Sequence, residues 1–430
     1  MSGPPLPVVS TLPAPSADPA AHGVVRLDSP TAEAPRSPRE AAWAAARDIL
    51  CVRLDSLGDV LMTTPALRAL RASVSGRRLT LLTSPAGAEA GGLVPDVDEV
   101  IVYEAPWLKA TAPRTDSAPE LAMASLLRRR RFDAAVIFTV FSQNPLPAAF
   151  LCHLGGIPLR LGHCRENPYQ LLSDWVADPE PEGGIRHEVR RQLDLVATVG
   201  ARIDDERLAV RVPDLARLRV GRLLRGLGLG RAPAVRPWVV VHPGASAPSR
   251  RYPPELYAAA ARRLVLELGC RLVFTGTAAE HDLVEGIRRA AGVPSRSLVG
   301  RLDLAELAAL VEAAPLLVAN NTGPAHLAAA VGTPVVDLYA LTNPQHAPWG
   351  VASRVLSHDV PCRGCLKSVC PLGHHDCLRK VDPDAVVAAA RELLAAGGYD
   401  LPAPPVRIGV AGTPAATPRW VAAAGTGRPA

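Results

Sequence analysis

"VANNTGPAHLAAAVGTPVV", residues 318–336, changes character twice in a short span. An apolar run ends in Asn320 and Asn321, a Thr-Gly-Pro turn follows, and an Ala-rich stretch carrying His326 runs on to Gly332 and Pro334. The order predicts strand, turn, helix and strand again. Pro324 in the first helical turn gives up no needed N–H, and Gly323 lets the backbone approach a ligand closely. In open α/β sheets ligands sit beyond the carboxyl ends of the strands, where helix N-termini offer unpaired N–H groups and a positive dipole end. A phosphate or diphosphate fits above such a turn. The lack of charge is then explained, because backbone amides and the Thr322 hydroxyl can do the neutralising. The plainer alternative is that Asn321 or Thr322 only caps a buried helix and that His326 is a core histidine.

Working outward, short apolar runs alternate with longer amphipathic ones, which argues for βα units and parallel sheets. The first half reads as strands at 49–54, 79–83, 99–103 and 134–138, with helices from Pro65, over 119–131 and up to 200. A second series starts at 238–244 and continues through strands at 271–276, 315–320 and 334–339 to a last helix over 383–396. The fold class is α/β in two domains, 46–215 and 237–398, joined by a Pro- and Gly-containing linker over 216–236. Residues 1–45 and 399–430 are rich in Ala, Pro, Gly and Ser, and they read as disordered tails.

Composition sets bounds on function. The 430 residues are 48% hydrophobic with formal charge +6, a mild excess that suits anionic ligands or a membrane surface. With aromatics at 4% and no stacking motif, nucleic acid is not an expected partner. No apolar run approaches the roughly 18 residues that span a bilayer. The N-terminus lacks the basic patch and continuous apolar core of a secretory signal, so the expected location is cytoplasmic. Eight cysteines are then not a disulfide scaffold.

Four further stretches carry chemistry. In "CVRLDSLGDVLMTTPAL", residues 51–67, a Ser56-Leu57-Gly58 turn places Asp59 above the first strand, where a carboxylate could take a proton from an attacking hydroxyl. The helix is expected from Pro65 with Thr64 as its cap, and a turn or cap role for Asp59 is the alternative, as is an ion-pair role for Asp55. "HPGASAPSRRYPPELY", 242–257, puts Arg250 and Arg251 at the mouth of the second domain, where planar guanidinium groups suit phosphate oxygens or form a solvated basic pair. "VFTGTAAEHD", 273–282, ends a strand at Gly276, which permits a base or ribose to lie close or is a plain βα turn. "CRGCLKSVCPLGHHDC", 362–377, holds Cys362, Cys365, Cys370 and Cys377; the spacing suits a structural zinc, with an iron–sulfur cluster, labile disulfides and free thiols left open. No G-x-G-x-x-G after a strand, G-x-S-x-G or Walker lysine is present.

With "RLDSLGDVLMTTPALRAL", "VHPGASAPSRRYP" and "NNTGPAHLAAAVGTPVVDLYALTNPQHAPWG" in that order, the chain resembles glycosyltransferase family 9, the heptosyltransferase-like enzymes of lipopolysaccharide core assembly. The resemblance covers about 45–395, and "CPLGHHDCL" is similar to a late segment of some members. It implies a GT-B fold, two facing Rossmann-like domains, with the nucleotide-sugar donor in the second and a glycan or glycolipid acceptor in the first. It also implies a metal-independent, inverting transfer that requires no cofactor, with heptose from ADP-heptose as the expected donor. By the same resemblance Asp59 is the catalytic base, Arg250 and Arg251 contact the diphosphate, and Thr322, Gly323 and His326 form its turn. Gly276 and Glu306 fall near the nucleoside. Asn321 stands where the family turn commonly has Asp, which removes a negative charge beside the sugar or diphosphate. An anionic acceptor at the inner membrane face would suit Arg128–Arg131, a run that a solvated helix end explains equally well, and Ser142–Phe150 and Arg160–Gln170 are expected around the acceptor. The rival readings are a non-catalytic nucleotide-sugar or metal-binding module of the same fold, and a nucleotide-sugar epimerase.

Overall fold

The computed structural model describes residues 9–11, 38–109, 111–230 and 236–403. Its strands are β1 (Val9–Thr11), β2 (Asp48–Arg53), β3 (Arg78–Thr83), β4 (Glu99–Val102), β5 (Ala134–Ile137), β6 (Leu159–Cys164), β7 (Asp174–Ala177), β8 (Trp238–His242), β9 (Arg271–Phe274), β10 (Ser295–Ser297), β11 (Leu316–Asn320), β12 (Val335–Leu338) and β13 (Ser353–Leu356). The first sheet runs β1-β4-β3-β2-β5-β6-β7 and the second β10-β9-β8-β11-β12-β13. All pairings are parallel except β1 with β4. Parallel strands covered on both faces need unbroken apolar runs, and β8 and β11 are buried along their whole length.

Helices cover the sheets: α1 (Pro38–Ala45), α2 (Leu57–Ser73), α3 (Pro85–Gly91), α4 (Ala118–Arg130), α5 (Leu146–Leu154) and α6 (Glu188–Ala197) in the first domain. The second domain has α7 (Asp214–Gly226), α8 (Pro254–Leu268), α9 (His281–Ala291), α10 (Leu304–Ala313), α11 (Gly323–Val331), α12 (Asp376–Arg379) and α13 (Pro383–Ala396). Strand order reverses beside β2 in one sheet and beside β8 in the other, so crevices open at the carboxyl ends of β2 and β5 and of β8 and β11. Contact between α2 and α11 brings those two ends together.

Three expectations need correction. The helix after β2 starts at Leu57, and Pro65 lies inside it. Pro65 cannot donate to the Leu61 carbonyl, but the Thr64 hydroxyl does so instead at 2.7 Å, which keeps the helix continuous. The 1–45 segment is structured where it is described: β1 pairs with β4, and α1 buries Trp43. The 216–236 linker is mostly α7, whose Ala216, Val220 and Leu224 join Trp238 and Leu310 in one core. Apolar spacing at four residues outweighed the Gly content there. The crossing between domains lies just before α7, and residues 404–430 lie outside the described residues.

Candidate active site

Two helix N-termini face each other across the gap between the domains. A cleft of about 200 Å³ is lined by Asp55, Ser56, Gly58 and Asp59 from one side and by Arg250, Thr322, Gly323 and His326 from the other, with Asn343 and His346 at the second domain's wall. Close approach depends on two glycines. A Cβ on Gly58 would lie 2.6 Å from His326 Cδ2, and one on Gly323 would lie 2.7 Å from Leu57 Cδ2. Thr322 occupies the N-cap position of α11 but makes no side-chain capping bond, so its hydroxyl is not spent on the helix.

Asp59 is the third residue of α2 and closes a capping box with Ser56. Its Oδ2 accepts from Ser56 N at 3.2 Å and from Ser56 Oγ at 2.7 Å, and its Oδ1 from Arg53 Nη2 at 3.1 Å. Burial pushes its carboxyl up, but Arg53 and the Ser56 hydrogen bond prevail and hold it well below the usual range. Asp59 is therefore ionised in the closed site. Arg53 is fully buried and also meets Asp55 Oδ2 at 3.1 Å and Glu188 Oε1 at 2.9 Å. Three carboxyls thus surround one buried guanidinium, and burial pushes Glu188 up to about 7 and raises Asp55. Burial likewise drives His326 down to about 4 and His346 down to about 3, although Asp59 pulls both upward.

The other sequence-derived candidates separate. Arg250 lines the cleft, and with the Asn343 amide turned to face it, Nη2 donates to Asn343 Oδ1 at 3.3 Å. Arg251 is exposed, and its Nε donates to the Ala245 carbonyl at 2.8 Å. Gly276 packs against Glu280, whose carboxylate accepts from Thr277 N at 2.8 Å. Glu306 caps α10 by accepting from Asp303 N at 3.2 Å and lies 3.4 Å from Arg219. None of these last three lines the Asp59 cleft. The paired asparagines act as struts. Asn320 Oδ1 accepts from Tyr252 N at 3.0 Å and its Nδ2 donates to the Pro243 carbonyl at 2.8 Å, while Asn321 Nδ2 donates to Asp337 Oδ2 and to the His346 carbonyl, each at 2.8 Å.

Residues 121–375, more than half of the chain, match the family described as glycosyltransferase family 9 (heptosyltransferase). The chain belongs to glycosyltransferase family 9. It is 27% identical over 325 residues to lipopolysaccharide heptosyltransferase 1 of Pseudomonas aeruginosa, covering 75% of this chain and 87% of that protein. To lipopolysaccharide heptosyltransferase 2 of Escherichia coli it is 26% identical over 359 residues, 80% of this chain and 98% of that protein. Among solved structures, a family 9 glycosyl transferase from Veillonella parvula superposes with a TM-score of 0.66 at 21% identity, over 82% of this chain and 98% of the other. The E. coli ADP-heptose heptosyltransferase II superposes with a TM-score of 0.63 at 23% identity, over 82% and 100%. These similarities fix the GT-B fold.

As a family 9 member the chain is a glycosyltransferase, and its site includes Arg53 and Glu188, to which sequence reasoning gave no role, beside Asp55, for which it left an ion pair open. Arg53, Asp55 and Glu188 form the charge cluster under Asp59, and only the assembled fold brings Glu188 of α6 to β2. Asn343 and His346 belong to a stretch already quoted for the family, so motif membership was an available signal. The cysteines at 362, 365, 370 and 377 do converge on one small cavity with His374 and His375. Yet among the described residues no three His, Cys, Asp or Glu side chains are placed to hold a metal ion, and the zinc or iron–sulfur expectation finds no support. Cys362 Sγ stands 3.8 Å from His374 Nε2, and His375 Nε2 is engaged 2.6 Å from the Ser249 carbonyl. The segment instead braces the turn that presents Arg250: Ser249 N donates to the Ser368 carbonyl at 3.0 Å and Ser249 Oγ to the Lys367 carbonyl at 2.7 Å.

Proposed function

We propose that this glycosyltransferase moves a heptose from ADP-heptose onto a glycan or glycolipid acceptor by a single inverting displacement, with Asp59 as base and no metal ion in the reaction. One observation carries the reading: an ionised carboxylate at the head of α2 faces Arg250 and the N-terminus of α11 across a cleft of about 200 Å³. The diphosphate would lie against Thr322, Gly323 and Arg250, where a helix dipole and a guanidinium offset the negative charge that grows as the nucleotide leaves. The heptose then points at Asp59, which takes the proton of the attacking hydroxyl as the new bond forms on the opposite face of the anomeric carbon. Buried His326 and His346 are driven toward the neutral form by burial and add no cation of their own beside Asp59. The donor assignment draws on the heptosyltransferase relatives and on a similar E. coli heptosyltransferase whose structure holds ADP-2-deoxy-2-fluoro heptose. Gly276 and Glu306, outside the cleft, remain candidates for the rim where the nucleoside would emerge. Among the described residues no helix is long and apolar enough to cross a membrane. Work at a membrane face is supported by exposed Arg128, Arg129 and Arg131 at the end of α4.

Asp59→Asn tests the mechanism. Acceptor-dependent release of ADP is expected to fall at least about 100-fold, the scale of lost general-base catalysis, while calorimetric affinity for ADP stays within about threefold. Wild-type turnover is expected to persist in EDTA. Near-normal turnover in Asp59→Asn would remove that residue from the chemistry. ADP release without acceptor consumption would point to hydrolysis, and an epimerised nucleotide-sugar formed without net ADP release would point to the epimerase reading.

A further inference from the structure

The charge cluster beneath Asp59 contains a carboxyl that the displacement itself does not need. Glu188 is the first residue of α6, is 0% exposed, and places Oε1 2.9 Å from Arg53 Nη1. Arg53 turns a different nitrogen toward each of three carboxyls: Nε toward Asp55 at 3.1 Å, Nη1 toward Glu188, and Nη2 toward Asp59 at 3.1 Å. Of the three contacts the one to Asp59 has hydrogen-bond geometry, while Nε and Nη1 meet their carboxyls by charge alone. One cation thus divides its field among three acids. Whichever of them loses its charge leaves more of Arg53 to the other two.

The elements around Glu188 give it no second cation. β2 supplies Arg53, and α2, packed along α6, supplies Asp59. Its own helix supplies Arg191, but that guanidinium is spent on Asp178, at 2.8 and 2.9 Å, and on Glu180. β6 supplies His163, whose Nε2 lies 3.3 Å from the Arg191 carbonyl and which burial drives toward the neutral form. From the second domain a loop meets the head of α6, Glu188 N donating to the Gln345 carbonyl at 3.0 Å, and burial drives the neighbouring His346 the same way. Gln192 Nε2 donates to Glu188 Oε1 at 2.6 Å, while Oε2 has no hydrogen-bond partner among the described residues. Burial therefore keeps the proton on Glu188 up to about 7, against the pull of Arg53.

We propose that Glu188 is a positioning residue for the transfer: its charge, present or absent, sets how much of Arg53 falls on Asp59 and so how strong a base Asp59 is. The proposal rests on the reading of Asp59 as the base. With Glu188 protonated, Arg53 is left to Asp55 and Asp59, and the Asp59 carboxylate is a weak acceptor for the hydroxyl proton. With Glu188 ionised, Arg53 is shared three ways and another negative charge stands nearby, so Asp59 takes that proton more readily as the glycosidic bond forms. The sign follows directly. Turnover rises with pH through about 7, far above the range in which Asp59 itself titrates. Charged neighbours change a carboxylate's proton affinity by factors of about 10 to 100, and Brønsted behaviour passes roughly the square root of that to the rate, a rise of about three- to tenfold.

The test is the single-turnover rate with saturating ADP-heptose and an acceptor that does not itself titrate near neutral pH. Wild-type protein is expected to gain about three- to tenfold between about pH 5.5 and about pH 8.5; a flat profile overturns the proposal without any variant. Glu188→Gln fixes the uncharged form. It is expected to abolish the rising limb, so that its deficit against wild type is about three- to tenfold at the alkaline end and small at the acid end, with KM for ADP-heptose within about twofold. Glu188→Asp, which keeps the charge, is expected to restore the limb. A Gln variant slowed equally at every pH, with the limb intact, would make Glu188 a packing residue only and overturn the proposal. Asp59→Asn keeps the two readings apart. Near-normal turnover there fells the base reading and this proposal with it, whereas an inactive Asp59→Asn beside a Glu188→Gln that retains the limb fells the Glu188 proposal alone.

Discussion

Asn321 shows how a carboxyl can stand beside a turn, on the neighbouring strand, with its charge suppressed. Where the family turn commonly carries Asp, this chain has an amide, and the carboxyl stands on β12 as Asp337, hydrogen-bonded to Asn321 at 2.8 Å. Burial pushes Asp337 up to about 8 against that hydrogen bond, so it is largely protonated near neutral pH. Restoring Asp at 321 alone would set two carboxyls side by side and turn an oxygen toward the His346 carbonyl. Asn321→Asp is therefore expected to cost about 1–3 kcal/mol of stability in urea unfolding, rising with pH, and the double variant with Asp337→Asn to recover most of it. Equal loss in single and double variants would break the link between the two positions. The turn's other residues were legible because Gly323 and Pro324 carry unambiguous backbone preferences. Which way an amide points was not.

At the scale of the element, α2 carries the main difference between expectation and structure. Thr64-Pro65 reads as a cap followed by a first helical residue, a local pattern that is sound by itself. In the fold the same pair sits mid-helix, with the Thr64 hydroxyl serving the Leu61 carbonyl and also accepting from Ala209 N at 3.0 Å in the crossing segment. The earlier start matters for function, because it puts Asp59 in the first turn of a helix, where dipole and capping box hold it ionised, rather than in a loop. Thr64→Val is expected to lower stability by about 1–3 kcal/mol, read as a shift in the urea midpoint, with Thr64→Ser close to wild type. A Val variant as stable as wild type would mean that the helix bridges Pro65 unaided. The capping box, Ser56 to Asp59, was present in the sequence as a signal for the true start.

For the whole molecule the buried titratable groups set opposing pH limits. Burial takes His163, His187 and His326 down to about 4 and His346 down to about 3. Each is protonated more readily in the unfolded chain, so their contribution is complete above about pH 6.5 and is lost as pH falls toward about 4. Burial raises Glu188 to about 7 and Asp337 to about 8, so the native chain holds these protons longer than the unfolded one and stability falls as pH rises through that range. Four imidazoles outweigh two carboxyls on the acid side. The melting temperature is expected to peak between about pH 6 and 7, drop steeply below it and gently above it, and Asp337→Asn should flatten the alkaline limb. A profile flat from pH 4 to 7 would show that these histidines titrate normally.

From its sequence alone this chain determined its α/β class, its two domains, the turn at 320–324 and the candidacies of Asp59 and Arg250, because backbone preference, apolar period and motif order are local properties. Tertiary structure alone decided that α7 belongs to the second domain, that Glu188 and Asp55 crowd Arg53, and that the segment carrying the four cysteines lies against the Ser249 turn. Those outcomes depend on which distant segments share a buried volume, where desolvation and steric fit act on neighbours that spacing along the chain does not encode.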